Sequence, residues 1–206
     1  MNRAVQLFTF KNYCDQNPLE KEILECGAGV HKPEAEPLFV RFARDGYRVH
    51  GIDIAEVRLK NARTYCVDHH IMADLRQADM RAIPFDDASM PFIYAYNVIF
   101  HAQKEDMRRM VKEMARVLKP GGLMFVNFLS LDDGDCGQGE RIGEGEFQQG
   151  EDGHTVVHSY HGDDEAEDYF EGLKVVFKEK RLLEKYEGED WSRQAYIDYI
   201  LKKPEL

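Results

Sequence analysis

The feature that most constrains this chain is an alternation of short apolar runs with amphipathic segments, repeated along residues 22–129. Residues 22–26, 47–53, 73–78, 91–96 and 123–129 each read as a strand, because apolar residues crowd into runs too short for a helix. Between them, residues 37–44 place Leu38, Phe39 and Phe42 on one face, and residues 56–66 carry Leu59, Ala62, Arg63 and Cys66 at helical spacing. Residues 106–118 repeat Met107, Met110, Val111, Met114, Val117 and Leu118 at i, i+3, i+4 and i+7, the pattern of an amphipathic helix. Pro120-Gly121-Gly122 ends it, since proline cannot continue the hydrogen-bond ladder and glycine accepts a left-handed exit. The fourth strand is apolar nearly throughout, as expected of a strand covered on both faces. Five such repeats predict an α/β fold with a parallel, doubly wound sheet.

After residue 130 the pattern changes. Nine of the 16 glycines fall between Gly121 and Gly153, and residues 131–153 are rich in Gly, Asp, Glu and Gln. Residues 131–162 read as an acidic, Gly-rich loop or lid; a loop of this length is either functional or disordered, and both readings stand. Residues 163–170 read as a short acidic helix. Residues 175–184 and 195–202 read as an antiparallel strand pair around a turn containing Gly188. The first twenty residues mix Phe8, Phe10 and Tyr13 with polar groups, forming a cap segment that either closes over a ligand or packs on the sheet edge. The whole of residues 1–206 reads as one domain, with 43% hydrophobic residues to close a core.

Net charge is -11, and its source is local: between residues 132 and 171 there are 14 acidic side chains against Arg141 alone. This balance excludes the electrostatic footprint of a nucleic-acid binder. The acidic stretch is either a solvated lid or a field that attracts a cationic substrate. No apolar stretch approaches the roughly 18 residues that span a bilayer, and no partner membrane is expected. Residues 1–10 lack a signal-peptide core, so a cytoplasmic location is expected. Cys14, Cys26, Cys66 and Cys136 have no CxxC spacing, as expected of free thiols in a reducing compartment, without structural zinc.

The chemistry begins at Ile23-Leu24-Glu25-Cys26-Gly27-Ala28-Gly29, where two glycines follow a buried strand. Their missing Cβ atoms let a ligand touch backbone at the carboxyl edge of an α/β sheet, where ligands bind. A tight turn with no ligand is the plain alternative. Asp53 ends the second strand 24 residues beyond Gly29, close to the roughly 20-residue offset at which an acidic group reaches ribose hydroxyls. It also suits a helix N-terminus. A dinucleotide fingerprint would need a third glycine where Lys32 stands, which disfavours a nicotinamide-dependent oxidoreductase.

With ILECGAG (residues 23–29), GIDI (51–54), ADMRAIPF (78–85) and RVLKPGGLMFVNF (116–128), the chain resembles the class I S-adenosylmethionine-dependent methyltransferases over nearly its whole length. More narrowly, it is similar to small bacterial and archaeal members. The resemblance implies a Rossmann-like sheet of seven strands in the order 3-2-1-4-5-7-6, mostly parallel, with an antiparallel last strand. It implies S-adenosylmethionine as cofactor. Gly27 and Gly29 would lie against its methionyl part, Glu25 would face its ammonium, and Asp53 would hold the ribose. Asp79 would approach the adenine amino group, Met80 would contact the ring, and Asn97 would border methionyl group and substrate. Two departures bear on the loop shape: His31 replaces the common third glycine, and residues 30–37 are longer than usual. Bland readings remain for Asp79 as a turn cap, Met80 as core packing and Asn97 as a strand-end group.

Methyl transfer from a sulfonium is an in-line displacement, so orientation of the acceptor is the main task and a base is optional. His101 follows Asn97 by four positions, beside the substrate-facing loop or on an exposed helix start. His154, His158 and His161, with Tyr160, cluster after the Gly-rich segment; His101, His158 and Tyr160 are the catalytic candidates. The HxxxHxxH spacing would suit a metal only on a helix, and Thr155-Val156-Val157 favours a strand, where His161 faces the other way. The expected partner is a small-molecule methyl acceptor, the expected state a monomer or homodimer. A non-catalytic cofactor-binding regulator is the alternative function.

Overall fold

The computed structural model describes residues 5–151, 153–187 and 190–205. The element order is α1 (Val5–Asp15), β1 (Glu22–Cys26), α2 (Val40–Arg44), β2 (Arg48–Asp53), α3 (Glu56–Asp68), β3 (Asp74–Gln77) and β4 (Met90–Ala95). It continues through α4 (Lys104–Val117), β5 (Leu118–Ser130), β6 (Glu140–Gly143), β7 (Glu146–Glu151), β8 (His154–His161), a 3-10 turn (Glu165–Tyr169), β9 (Lys174–Glu187) and β10 (Asp190–Lys202).

β3, β2, β1, β4 and β5 lie side by side, all parallel. β10 runs antiparallel to β5 along Leu123–Leu129, and β9 pairs antiparallel with the outer side of β10. The main sheet therefore has the order 3-2-1-4-5-10-9, a Rossmann-like arrangement with the final pair placed as the resemblance implies. The helix expected from residue 37 begins only at Val40, and the amphipathic helix ends at Val117, with β5 already running through Pro120-Gly121-Gly122. The terminal strands are longer than expected, because each is specified by its partner as well as by its own residues.

The segment read as a loop or lid is corrected most. Residues 131–162 contain β6, β7 and β8, an antiparallel meander in which Glu146–Glu151 pair with His154–Ser159. Its glycines and acids carry little strand propensity, so the hydrogen-bond ladder to a sequence neighbour specifies it. The meander joins the main sheet because Leu129 and Ser130 pair in parallel with Tyr160 and His161. Leu129 also pairs with Tyr196 of β10, so β8 must occupy the opposite edge of β5, the edge that β4 leaves after Ala95 pairs with Val126. The insertion thus rises over the carboxyl ends of the parallel strands. Ser159 fixes it there: its N–H donates to Phe100 O at 3.0 Å and its hydroxyl to Ala102 O at 2.7 Å. The acidic charge is partly paired, with Lys180 bound to Asp132 and Asp163, and Lys178 to Asp164 and Glu167.

Apolar side chains cover both faces of the sheet. On one face Leu7, Phe10 and Cys14 of α1 join Phe39, Phe42, Leu59 and Ala62 of the α2 and α3 region. On the other, Met107, Val111, Met114 and Val117 of α4 pack on Leu24, Cys26 and Ile93. Phe10 is fully buried, with ring centroids 5.9 Å from Phe125 and 6.3 Å from Tyr94. Phe8 stays exposed beneath the Arg41 guanidinium, and Tyr13 meets Phe177, so the N-terminal aromatics pack on the sheet layer as one helix. No helix among the described residues is long and apolar enough to cross a membrane.

Candidate active site at the carboxyl edge

The turn after β1 closes over the end of β2. Gly27 and Ala28 donate their N–H groups to Ile52 O at 2.8 and 2.9 Å, with Gly27 at φ +88°. A Cβ on Gly27 would lie 2.8 Å from the Val98 side chain, which brings the rim against the loop following β4. A Cβ on Gly29 would lie 2.7 Å from Asp53 Oδ2; without one, the Gly29 N–H donates to that oxygen at 2.9 Å. Asp53 Oδ1 accepts from Ala55 N–H at 2.8 Å, so the carboxylate also organises the approach to α3. A carboxylate offers about four lone-pair positions, and each oxygen retains room for another donor. That fits a ribose diol. Ile54, next in sequence and 65% exposed, adds an apolar surface that the sequence reading missed; a single exposed isoleucine cannot be told apart from chance by periodicity.

Glu25 lies near the end of β1. Its carboxyl is buried beneath the rim, accepting the Tyr94 hydroxyl at 2.6 Å and the Phe39 N–H. Desolvation pushes its pKa up to about 8, against the lowering effect of those donors, with the Asp53 charge adding to the rise. Asp79 caps the turn after β3: its Oδ1 accepts from Arg81 N–H at 2.8 Å, and the Arg81 fork grips both oxygens, holding the acid below its usual range. Met80 is buried in the core, and its side chain is 8% exposed together with its backbone. Asn97 takes φ +52° and exchanges hydrogen bonds with Asn127 of β5, a buried amide that no sequence motif singled out.

Beside Asn97 lies a cavity of about 510 Å³, inside the 300–1,000 Å³ range of small-molecule sites. Phe100 and His101 line it from the loop after β4, His158 and Tyr160 from β8, and Tyr196 from β10. The three catalytic candidates are therefore brought together. His158 and Tyr160 share a face of β8, as residues two apart on a strand must. The rings of His101 and His158 meet edge to face with centroids 4.8 Å apart. His101 opens to the cavity, yet desolvation against its walls, reinforced by His158 and Arg58, lowers its pKa to about 4. The imidazole is neutral and able to accept a proton. Burial raises the Tyr160 phenol, which stays protonated at neutral pH. Tyr196 is backed by the Arg181 guanidinium 4.9 Å from its ring, itself bridged to buried Asp198.

His161 points away from this group: it is fully buried, with Nε2 3.0 Å from the Tyr169 hydroxyl. The side chain of His154 lies outside the described residues. Among those described, no group of three or more His, Cys, Asp or Glu is placed to hold a metal ion.

The glycine rim, the acid ending the second strand and the polar cavity all lie at the carboxyl edge of a Rossmann-like sheet, the edge at which ligands bind in folds of this kind. Residues 24–126 match the family model for a methyltransferase domain. Over 107 residues the chain is 33% identical to sterol 24-C-methyltransferase ERG6B of Gibberella zeae, covering 51% of this chain and 27% of that protein. Over another 107-residue match it is 30% identical to a probable S-adenosylmethionine-dependent methyltransferase of Mycolicibacterium smegmatis, covering 52% and 37%. The match thus spans about a third of these curated relatives. Among solved structures, a SAM-dependent methyltransferase of Methanosarcina mazei superposes with a TM-score of 0.77 at 20% identity, covering 96% of this chain and 98% of that one. The chain belongs to the methyltransferase-domain family, within the class I group whose cofactor is S-adenosylmethionine.

Proposed function

We propose that this protein methylates a small-molecule acceptor held in the cavity beneath the β6–β8 insertion. The observation that carries the reading is the adjacency of rim and cavity: Gly27 abuts Val98, and Asn97, the preceding residue, lines the cavity. S-adenosylmethionine, when bound, supplies an electrophilic methyl group on a sulfonium. Asp53 would receive the ribose hydroxyls, and Gly27 and Gly29 would let the methionyl part approach the backbone. Ile54 and Met80 would give apolar contact to the base, with Asp79 beside it. Glu25 would support the rim from below through Tyr94 and Phe39.

On the acceptor side, Asn97 orients the nucleophile and neutral His101 is placed to take its proton. The Tyr160 hydroxyl donates to an acceptor oxygen. The insertion walls the cavity on one side through Asp135, Gln138, Gln149, His158 and Tyr160. Calorimetry with S-adenosylmethionine and S-adenosylhomocysteine tests the cofactor site, and transfer of a labelled methyl group to a metabolite extract tests the reaction. Binding without any labelled product favours a regulator; absence of binding at millimolar ligand removes the proposal.

A further inference from the structure

The wall that the insertion contributes to the cavity has a definite hydrogen-bonding polarity. Gln149 Nε2 donates to Asp135 O and Gln138 O, both at 3.0 Å, and approaches the Tyr160 hydroxyl oxygen at 3.2 Å. Flipping this amide would set its oxygen against two carbonyl oxygens, so the network fixes its orientation and leaves Oε1 for a ligand. Gln138 behaves alike: its Nε2 donates to Asp135 Oδ1 at 2.9 Å and Gly134 O at 3.3 Å, again leaving the amide oxygen. Asp135 adds a carboxylate to the same wall, and Asp133 a second, whose oxygens accept Ala195 N–H at 2.8 Å and Asp135 N–H at 3.0 Å. None of the described lining residues is Lys or Arg.

At this wall a ligand carboxylate or phosphate would face acceptors of its own sign with no Lys or Arg among the described lining residues to offset them. An ammonium group suits this wall. It brings three N–H donors to two amide oxygens and a carboxylate. The acidic segment of residues 132–171 supplies a field of the same sense.

Resting on the methyltransferase reading, we infer that the acceptor is a small molecule carrying a protonated amino group, anchored at Asp135, Gln138 and Gln149, with a separate nucleophilic atom facing Asn97. The anchoring ammonium is not the atom methylated, since it has no lone pair.

The test uses the full chain saturated with S-adenosylhomocysteine and three probes of matched size: 2-phenylethylamine, 2-phenylethanol and phenylacetate. Calorimetry is expected to rank the amine at least about tenfold tighter than the alcohol, and phenylacetate weakest. Asp135→Asn brings the amine-to-alcohol ratio near one, whereas Asp135→Glu retains it; melting curves and S-adenosylhomocysteine affinity establish that each variant is folded. The inference is overturned by equal or tighter binding of the alcohol or phenylacetate, by no heat from millimolar amine, or by an unchanged ratio in Asp135→Asn. S-adenosylhomocysteine binding is read separately. Its failure strikes the methyltransferase reading itself, while its success without amine preference strikes only the acceptor class.

Discussion

Asn97 and Asn127 exchange hydrogen bonds across the carboxyl ends of β4 and β5: the Asn97 N–H donates to Asn127 Oδ1 at 2.8 Å, and Asn127 Nδ2 donates to Asn97 Oδ1 at 2.6 Å. The pair holds Asn97 at φ +52°, a left-handed conformation uncommon outside glycine. Because Asn97 borders both rim and cavity, Asn127 is a positioning residue for the site. Asn127→Leu keeps the branched shape but leaves two polar partners unsatisfied, with an expected stability loss of about 1–3 kcal/mol. Urea unfolding measures it. A loss below about 0.5 kcal/mol would show that water replaces the amide without cost.

Asp53→Ala removes the acceptor for Gly29 N–H and Ala55 N–H together with the proposed ribose contact. S-adenosylhomocysteine affinity is expected to fall by about 1–3 kcal/mol, and the domain to remain folded. Calorimetry with far-ultraviolet dichroism separates the two effects. Unchanged affinity would assign Asp53 to the rim alone.

These two residues mark the limit of what the sequence discloses. Asp53 is legible because it stands at a fixed offset from the glycines and ends an apolar run. Asn127 is not, since it sits inside a strand whose pattern says only that the position is buried. The five parallel strands and α4 were legible through period and length, as was the antiparallel final pair. Within the meander, β8 was legible through its β-branched Thr155-Val156-Val157, whereas β7 was hidden because Glu146, Gln148 and Gly150 have no strand preference of their own, and pairing with β8 decides the matter. The helix α1 was obscured although Leu7, Phe10 and Cys14 keep helical spacing, because exposed Val5, Phe8 and Tyr13 blur its faces. Glu25 was assigned a partner by motif; its burial against Tyr94 depends on α1 and α2 covering that face.

His101 is expected to show no titration between pH 5 and 8, because its pKa is lowered to about 4 by desolvation and by His158. Proton NMR of the imidazole Cε1–H, assigned by comparison with His101→Gln, checks this. An inflection near the ordinary value of 6.5 would show that the ring stays solvated and is not desolvated by the cavity walls. If His101 does take the proton, His101→Gln lowers the methyl-transfer rate by about 10²-fold or more.

Glu25 and His161 act on stability with opposite signs. The Glu25 pKa is raised from 4.5 to about 8, so between those values the unfolded chain has released a proton that the folded chain keeps. Its contribution is full below pH 4.5 and is lost as pH rises through 8, with a slope of at most about 1.4 kcal/mol per pH unit. The His161 pKa is lowered from 6.5 to about 4, chiefly by desolvation and then by Lys104, so the unfolded chain binds the proton first. Its contribution is full above pH 6.5 and is lost as pH falls toward 4. Between pH 4.5 and 6.5 the two slopes oppose each other, and above 6.5 only the Glu25 loss continues. Each single variant exposes the other group. Glu25→Gln is expected to melt higher than the parent at pH 8 and to gain stability as pH rises from 4 to 6.5, whereas His161→Gln loses stability steadily from 4.5 to 8. Chemical denaturation across this range measures both slopes. A parent and a Glu25→Gln variant with the same dependence above pH 6.5 would mean that the carboxyl ionises without leaving its buried contacts with Tyr94 and Phe39, and that the rim tolerates a charge beneath it.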